Sequence, residues 1–300
     1  MPSNRKIIYL LNPISGTKDK EVLRALIIRK TNAAQISYQI MPTRKDGDYT
    51  SLAAKIKDEC ITDIVVCGGD GTINQVASAM RQEDVSIGVI PMGSGNGLAL
   101  AAGIQRDPSK ALDIIFKGKS QPVDGFMINN QFSCMLCGLG FDAQVAHDFA
   151  NQPTRGLATY IKQTVKNFFT ANAYPFTIEV NGNSFESEAF FISIANSNQF
   201  GNNVTIAPKA SISDGLLDIV IVNKMSKLKM VYTLLKQVRL GQVVPAMDAD
   251  KSNGVHYFQA AKLNIHNPRK APLHIDGDPA KTSKRFEIEV IPNAFRLLQP

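Results

Sequence analysis

The sequence predicts an α/β domain built on a parallel sheet, followed by a β-rich, sandwich-like domain. Within the first hundred or so residues, three apolar runs each lead into a glycine-bearing loop and then an amphipathic stretch. The links are short, which favours parallel strands joined by right-handed crossovers. Beyond about residue 120 the pattern changes to β-rich runs divided by Asn129-Asn130 and Asn181-Gly182-Asn183, turn signals of antiparallel hairpins. The expected division is 1–121 and 122–300, with the last strand returning to the first domain.

The elements follow in order. KIIYLL at 6–11 reads as a buried strand, with a helical stretch at 18–30 behind it and a strand at 35–41. A helix near 49–60 would put Leu52, Ile56 and Cys60 on one face. Strand 63–67 enters helix 72–82, whose Ile73, Val76, Ala77 and Met80 recur at helical spacing, and strand 86–90 enters a short alanine-rich helix. Helix 108–117 has Asp107 to cap it, Pro108 in its first turn and Gly118 beyond its end. In the second domain, strands are expected at 176–180, 190–195, 216–222, 255–260, 262–266 and 285–291. Helices are expected at 156–170, with Leu157, Ile161, Val165 and Phe168 aligned, and at 226–240.

The three loops carry the chemistry. They are Asn12-Pro13-Ile14-Ser15-Gly16, Gly68-Gly69-Asp70-Gly71-Thr72 and Gly93-Ser94-Gly95-Asn96-Gly97. Glycine lets the backbone approach a ligand closely, and the helix start behind it offers free N–H groups to an anion. Ligands on parallel sheets bind at the carboxyl ends of the strands, where all three loops lie. Asp70, between two glycines, should face solvent, a cation or a reacting hydroxyl, because unpaired burial of a carboxylate is costly. The combination points to a polyphosphate with a metal ion, and hence to phosphoryl transfer. In the second domain, Asp214-Gly215 and Asp276-Gly277-Asp278 form two acidic turns. Each reads as hairpin chemistry, and the two carboxylates of the second can also hold a divalent ion or serve as a base.

Composition narrows the classes. The 300 residues are 44% hydrophobic and 20% charged, with a formal net charge of +7, as in an ordinary globular protein. No apolar run reaches membrane-spanning length, and the N-terminus leads directly into a strand, so a cytoplasmic protein with at most peripheral contact at the inner membrane face is expected. Basic and aromatic residues are not interleaved, which disfavours nucleic acid. Four cysteines suggest a reduced compartment; Cys134 and Cys137 lie in an apolar run expected to be one strand, and read as core. The four histidines are scattered, with neither HExxH nor triad spacing. The only Gly-Lys-Ser, at 118–120, has Asp113 where a Walker loop needs glycine, and protein-kinase motifs are missing.

Together with PMGSGNGLA at 91–99, Val123-Asp124, GLGFD at 138–142, Ala207-Pro208, DGLLD at 214–218 and DGD at 276–278, the loops NPISG and GGDGTIN (68–74) resemble the bacterial diacylglycerol-kinase-type lipid kinases. Their catalytic domain is shared with sphingosine and ceramide kinases. The resemblance spans nearly the whole chain, and GGDGT also occurs in NAD kinases and phosphofructokinases, so the first domain is expected to be NAD kinase/phosphofructokinase-like. It implies ATP around Asn12, Pro13, Ser15, Gly16, Thr43, Gly68, Gly69, Asp70, Gly71, Thr72, Asn74, Gly93, Ser94, Gly95 and Asn96. It implies Mg²⁺ as cofactor, with a structural ion at Asp214 and the carbonyls of Ser211 and Leu216. The proton acceptor would be Asp278, where the family more often has glutamate, with Asp276 and Asp70 as rivals for base and metal partner. Asp124 and Lys162 match a charge network near an interdomain cleft that holds ATP. The implied partner is a lipid at a membrane surface, such as diacylglycerol or a sphingoid base, with a homodimer as one candidate assembly. A kinase of a soluble acceptor such as NAD, and a non-enzymatic ATP or lipid sensor, are the competing readings.

Overall fold

The computed structural model describes residues 5–13, 20–153, 157–201, 204–205, 207–226 and 254–300. Of the helix expected at 226–240, residues 227–240 lie outside this set, as do Ser15 and Gly16. The chain divides into two compact units, Met1–Val123 with Asn293–Pro300, and Asp124–Pro292.

The first unit alternates strand and helix: β1 (Lys6–Leu11), α1 (Lys20–Ala33), β2 (Ser37–Pro42), α2 (Thr50–Glu59), β3 (Asp63–Gly68), α3 (Asp70–Met80), β4 (Ser86–Pro91), α4 (Gly97–Ala101) and α5 (Pro108–Lys117). The strands are parallel in the order β2-β1-β3-β4. Their Ile, Val and Leu side chains are buried nearly without interruption, as a sheet covered on both faces requires. Each helix buries one stripe: Leu23, Ile27 and Thr31 on α1, Ile73, Val76, Ala77 and Met80 on α3. Cys60 does not join the buried stripe of α2. It ends the helix in a left-handed conformation, φ 52°, and is exposed. On α5 the Asp107 cap accepts the Lys110 N–H at 2.9 Å. Gly118 is needed for space, since a Cβ there would overlap the carbonyl oxygens of Gln299 and Ile114.

The second unit is antiparallel. It contains the end of β5 (Lys119–Ile128), β6 (Gln131–Ser133), β7 (Leu136–Gly140), α6 (Phe141–Ala150), α7 (Leu157–Thr170), β8 (Tyr174–Val180), β9 (Asn183–Ala195), β10 (Gln199–Gly201), β11 (Val204–Thr205), β12 (Leu217–Asn223), β13 (Val255–Ala260), β14 (Lys262–His266), β15 (Leu273–Ile275), β16 (Asp278–Ala280) and most of β17 (Arg285–Gln299). The path β16-β15-β7-β9-β8-β14-β17 forms its sheet, and β12 lies between β9 and β13. Alternate residues of these strands, including Ile192, Ile194, Leu217, Ile219, Ile221, Leu263, Ile265 and Phe286, share one core. This is the sandwich-like packing expected from the β-rich runs and hairpin turns of the sequence.

Two expectations are corrected here. The apolar run 132–137 is not one strand, because it breaks at Cys134-Met135, between β6 and β7. The backbone N–H groups at the break are claimed by the Asp276 carboxylate rather than by a ladder. On α7 the expected apolar line is only partly covered: Phe168 is half-buried against Phe141, Val165 is 53% exposed, and Gln163 and Asn167 are buried. Asn167 Nδ2 donates to Asp148 Oδ2 of α6 at 2.9 Å, so polar contacts orient this helix.

Beneath the first sheet, Arg5 makes a two-pronged pair with Asp63 (Nη2–Oδ1 2.9 Å, Nε–Oδ2 3.0 Å) and donates to the carbonyls of Ile115 and Phe116. Asp63 is 3% exposed. Replacing Arg5 with alanine leaves that buried carboxylate without its counter-charge, though still bonded by Thr62 Oγ1 at 2.6 Å, so a loss of about 3 kcal/mol in unfolding free energy is expected by urea denaturation.

Candidate active site

The tips of β1, β3 and β4 lie side by side. Leu11 pairs with Cys67 and Gly68 with Pro91. Beyond the strands, Asn12 N donates to Cys67 O (3.1 Å), Met92 N to Gly68 O (2.9 Å) and Thr43 N to Leu11 O (3.1 Å). All three predicted loops, with Thr43, therefore leave the same edge. Asn12 Nδ2 donates to Thr72 Oγ1 at 2.8 Å, tying the first loop to the second. The second and third loops touch through their backbones: a Cβ on Gly93 would stand 2.7 Å from Gly69 Cα. Glycine at both positions is a condition of that contact.

Within this edge the side chains divide into builders and presenters. Asn96 is buried and left-handed (φ 58°), and its amide closes on one residue, accepting from Gly93 N (2.8 Å) and donating to Gly93 O (2.7 Å). Gly95 O is held by Arg106 Nη2 at 3.0 Å. Asp70 opens α3 behind Gly69; Asp70, Gly71, Thr72 and Asn74 are half-buried, and Ser94 is exposed. Pro13 is the last described residue of the first loop.

In the second unit, Asp276 and Gly277 form a two-residue hairpin turn, both left-handed (φ 49° and 84°), between β15 and β16, with Ile275 opposite Asp278. This is the paired left-handed geometry that favours Asp-Gly. Asp276 faces inward and Asp278 is exposed. The Asp276 carboxylate accepts from Ser133 Oγ (2.7 Å), Leu136 N (3.0 Å), Met135 N (3.1 Å) and Cys134 N (3.3 Å). The same segment receives Asn196, whose backbone N donates to Met135 O (2.7 Å) and whose Nδ2 donates to Cys134 O (3.1 Å) and Asp124 O (2.8 Å). Asp124 is buried and takes the N–H of Gly215 on its Oδ2 at 2.7 Å, fixing the second acidic turn. Lys162 lies exposed on α7.

Asp214 is exposed at that turn, and its Oδ1 accepts from Leu216 N at 3.1 Å. With the carbonyls of Ser211 and Leu216 it would supply one carboxylate and two neutral oxygens. That all-oxygen set suits a hard divalent ion that keeps several waters. Among the described residues, no cluster of three or more His, Cys, Asp or Glu offers a competing site.

Several contributors were not foreseen. His274 and Asp142, 132 residues apart, meet in the interior (Nε2–Oδ2 3.3 Å). Ser133 and Asn196 carry no motif of their own. Asp218, the last residue of DGLLD, is fully buried; Gln259 Nε2 donates to its Oδ2 at 3.2 Å while its Oδ1 has no hydrogen-bond partner. Burial pushes its carboxyl from 3.8 up to about 6, and the Gln259 bond offsets only part of that.

The diacylglycerol kinase catalytic domain family matches residues 6–128, and the YegS C-terminal NAD kinase beta sandwich-like domain family matches 136–299. A "Probable lipid kinase YegS-like" of Shewanella frigidimarina is 29% identical over 247 residues, covering 79% of this chain and 76% of that protein. A "Diacylglycerol kinase" of Bacillus subtilis is 27% identical over 280 residues, covering 91% and 89%. A crystal structure titled as a "putative diacylglycerol kinase" from Bacillus anthracis superposes with a TM-score of 0.83 at 22% identity, over 99% of this chain and 97% of that one.

The raised carboxyl of Asp218 predicts a pH dependence. The folded chain binds this proton more tightly than the unfolded chain, so the group's contribution falls as pH rises from about 4 to about 6 and is level above. Asp218→Asn removes this dependence. Relative to wild type, its unfolding free energy should gain up to about 3 kcal/mol between pH 4 and pH 7 by urea denaturation.

Proposed function

This chain belongs to the diacylglycerol kinase-like lipid kinase family, and we propose that it transfers the γ-phosphoryl group of ATP to a hydroxyl of a lipid such as diacylglycerol. The observation that carries this reading is the close approach of two glycine loops, at Gly69 and Gly93, on one edge of a parallel sheet, with Asn12 tied to Thr72 beside them and Asp70 at the head of α3. Main-chain N–H groups there hold the phosphates, and the helix dipole favours their charge. Phosphoryl transfer asks little covalent chemistry of the protein and relies on alignment and on fixed charge around the γ-phosphorus. Asp70 would hold a divalent ion, taken here as Mg²⁺, that would supply charge neutralisation at the phosphates, and Asp214 with the carbonyls of Ser211 and Leu216 would hold a second.

Asp278 is the proton acceptor in this reading. It is exposed at the start of β16, whereas the lone pairs of Asp276 are committed to four donors. Asp276 thus sets the turn and Asp278 receives the proton as the acceptor oxygen bonds to phosphorus. No helix among the described residues is long and apolar enough to cross a membrane, so a lipid acceptor would be met at a bilayer surface.

Incubation with ATP, Mg²⁺ and a total lipid extract should yield a phosphorylated lipid by mass spectrometry. Phosphorylation of NAD with no lipid product would overturn the choice of acceptor. Asp278→Asn should lower kcat by about 10²–10⁴-fold at little change in the KM for ATP. Near wild-type turnover in that variant would remove Asp278 from its role. Asp70→Asn should lose most turnover with the fold intact by circular dichroism.

A further inference from the structure

The hairpin that presents Asp278 is short: three residues on each side of a two-residue turn. A pair of strands this small does not hold its own geometry. Asp276 anchors one side of the turn. Gly277 carries a second backbone donor, which a two-residue turn cannot satisfy internally. That donor meets His274: Gly277 N donates to Nδ1 at 3.3 Å.

Because Nδ1 accepts, the ring proton of neutral His274 resides on Nε2, which faces Asp142 Oδ2 at 3.3 Å. Asp142 is oriented in turn by the N–H of Ala143 on its Oδ1 (2.8 Å) in the first turn of α6. Both side chains are buried, His274 at 2% and Asp142 at 8% exposure. Gly138 stands opposite His274 in the β7–β15 register, and a Cβ there would overlap Asp142 Oδ2 and His274 Nε2. A second tie joins α6 to the same strand, between His147 Nε2 and Leu273 O at 2.8 Å. A buried carboxylate that selects one imidazole tautomer, in a space cleared by a glycine, is a costly arrangement to maintain for packing alone.

We propose that His274, oriented by Asp142, is a positioning residue for Asp278, holding the Gly277 N–H so that the turn aims the Asp278 carboxylate. This rests on Asp278 being the proton acceptor. His274 touches neither nucleotide nor acceptor in this scheme. A misplacement of the carboxylate by about 1 Å would suffice to slow transfer by up to about 10²-fold.

Two substitutions separate the two ends of the ring. The amide of asparagine reaches where Nδ1 stands, so His274→Asn can still accept from Gly277 but does not reach Asp142. The amide of glutamine reaches where Nε2 stands, so His274→Gln can still donate to Asp142 but abandons Gly277. With diacylglycerol in detergent micelles and ATP, His274→Gln should lower kcat by about tenfold or more at unchanged KM for ATP. His274→Asn should stay within about threefold of wild type, with both variants melting at similar temperatures. In the Asp278→Asn background, His274→Gln should cost nothing further. A lowered kcat in Asp278→Asn with wild-type kcat in His274→Gln would overturn the positioning role and leave Asp278 in place. Near wild-type turnover in Asp278→Asn would instead overturn the reading beneath it. Hydrogen exchange at the Gly277 amide supplies a readout independent of activity. It should quicken in His274→Gln and not in His274→Asn, and equal exchange in the two variants would overturn the proposal. Should His274→Gln fail to fold, Asp142→Asn takes its place: loss of the selected tautomer should quicken Gly277 exchange and lower kcat, and neither change would be seen if the pair served packing alone.

Discussion

Backbone meets backbone at Gly69 and Gly93, and the first lobe's candidate chemistry follows from that contact. The loops that leave these neighbouring strands cross so closely that a Cβ on Gly93 would stand 2.7 Å from Gly69 Cα, which leaves no room for side chains at the crossing. Once glycine clears the crossing, the start of α3 and the third loop share one edge, where an anion can be held by main-chain dipoles. Asn96 then closes the third loop on Gly93 from below, and Asn12 ties the first loop to Thr72. Side chains here shape the backbone, and in the proposed reading that backbone meets the phosphates.

The second lobe uses buried polar groups for the same end. Its acidic turns are pinned by residues that stay hidden: Asp276 on the break between β6 and β7, Asp124 on Gly215, His274 on Gly277. Hydrogen bonds to carboxylates are among the stronger ones a protein makes, and they lose most when one partner is removed. The exposed carboxylates Asp214 and Asp278 are left at the surface of a rigid frame. A division into a buried acid that fixes a turn and an exposed acid beside it explains why the DGD sequence carries two aspartates.

Much of this was legible in the sequence. Periodicity located most of the first lobe's elements because β1, β3 and β4 are apolar runs and α1, α2, α3 and α5 each bury apolar residues at helical spacing, with α5 also capped by Asp107. The glycine loops stood out because few other roles require so many glycines at strand ends. What was hidden depends on partners far apart in the chain. The strand break at Cys134-Met135 exists because Asp276, 141 residues from Met135, takes its N–H. His274 looked isolated because Asp142 is brought to it only by the pairing of β7 with β15. Helix α6 was not read from the sequence, although Phe141, Val145 and Phe149 recur at helical spacing, because GLGFD stood out as a motif rather than as an element boundary. Val165 on α7 is exposed despite its place in the apolar spacing, because spacing does not say which positions a neighbour covers.

The most direct measurement is a titration of ¹⁵N-labelled protein with Mg·ATP, followed at backbone amide resonances. The resonances of Gly69, Gly71, Thr72 and Gly93 should move together and saturate with one apparent Kd, and adenosine should leave them nearly unmoved. If these amides stayed in place at saturating nucleotide while resonances elsewhere shifted, the strand tips would not be the phosphate cradle.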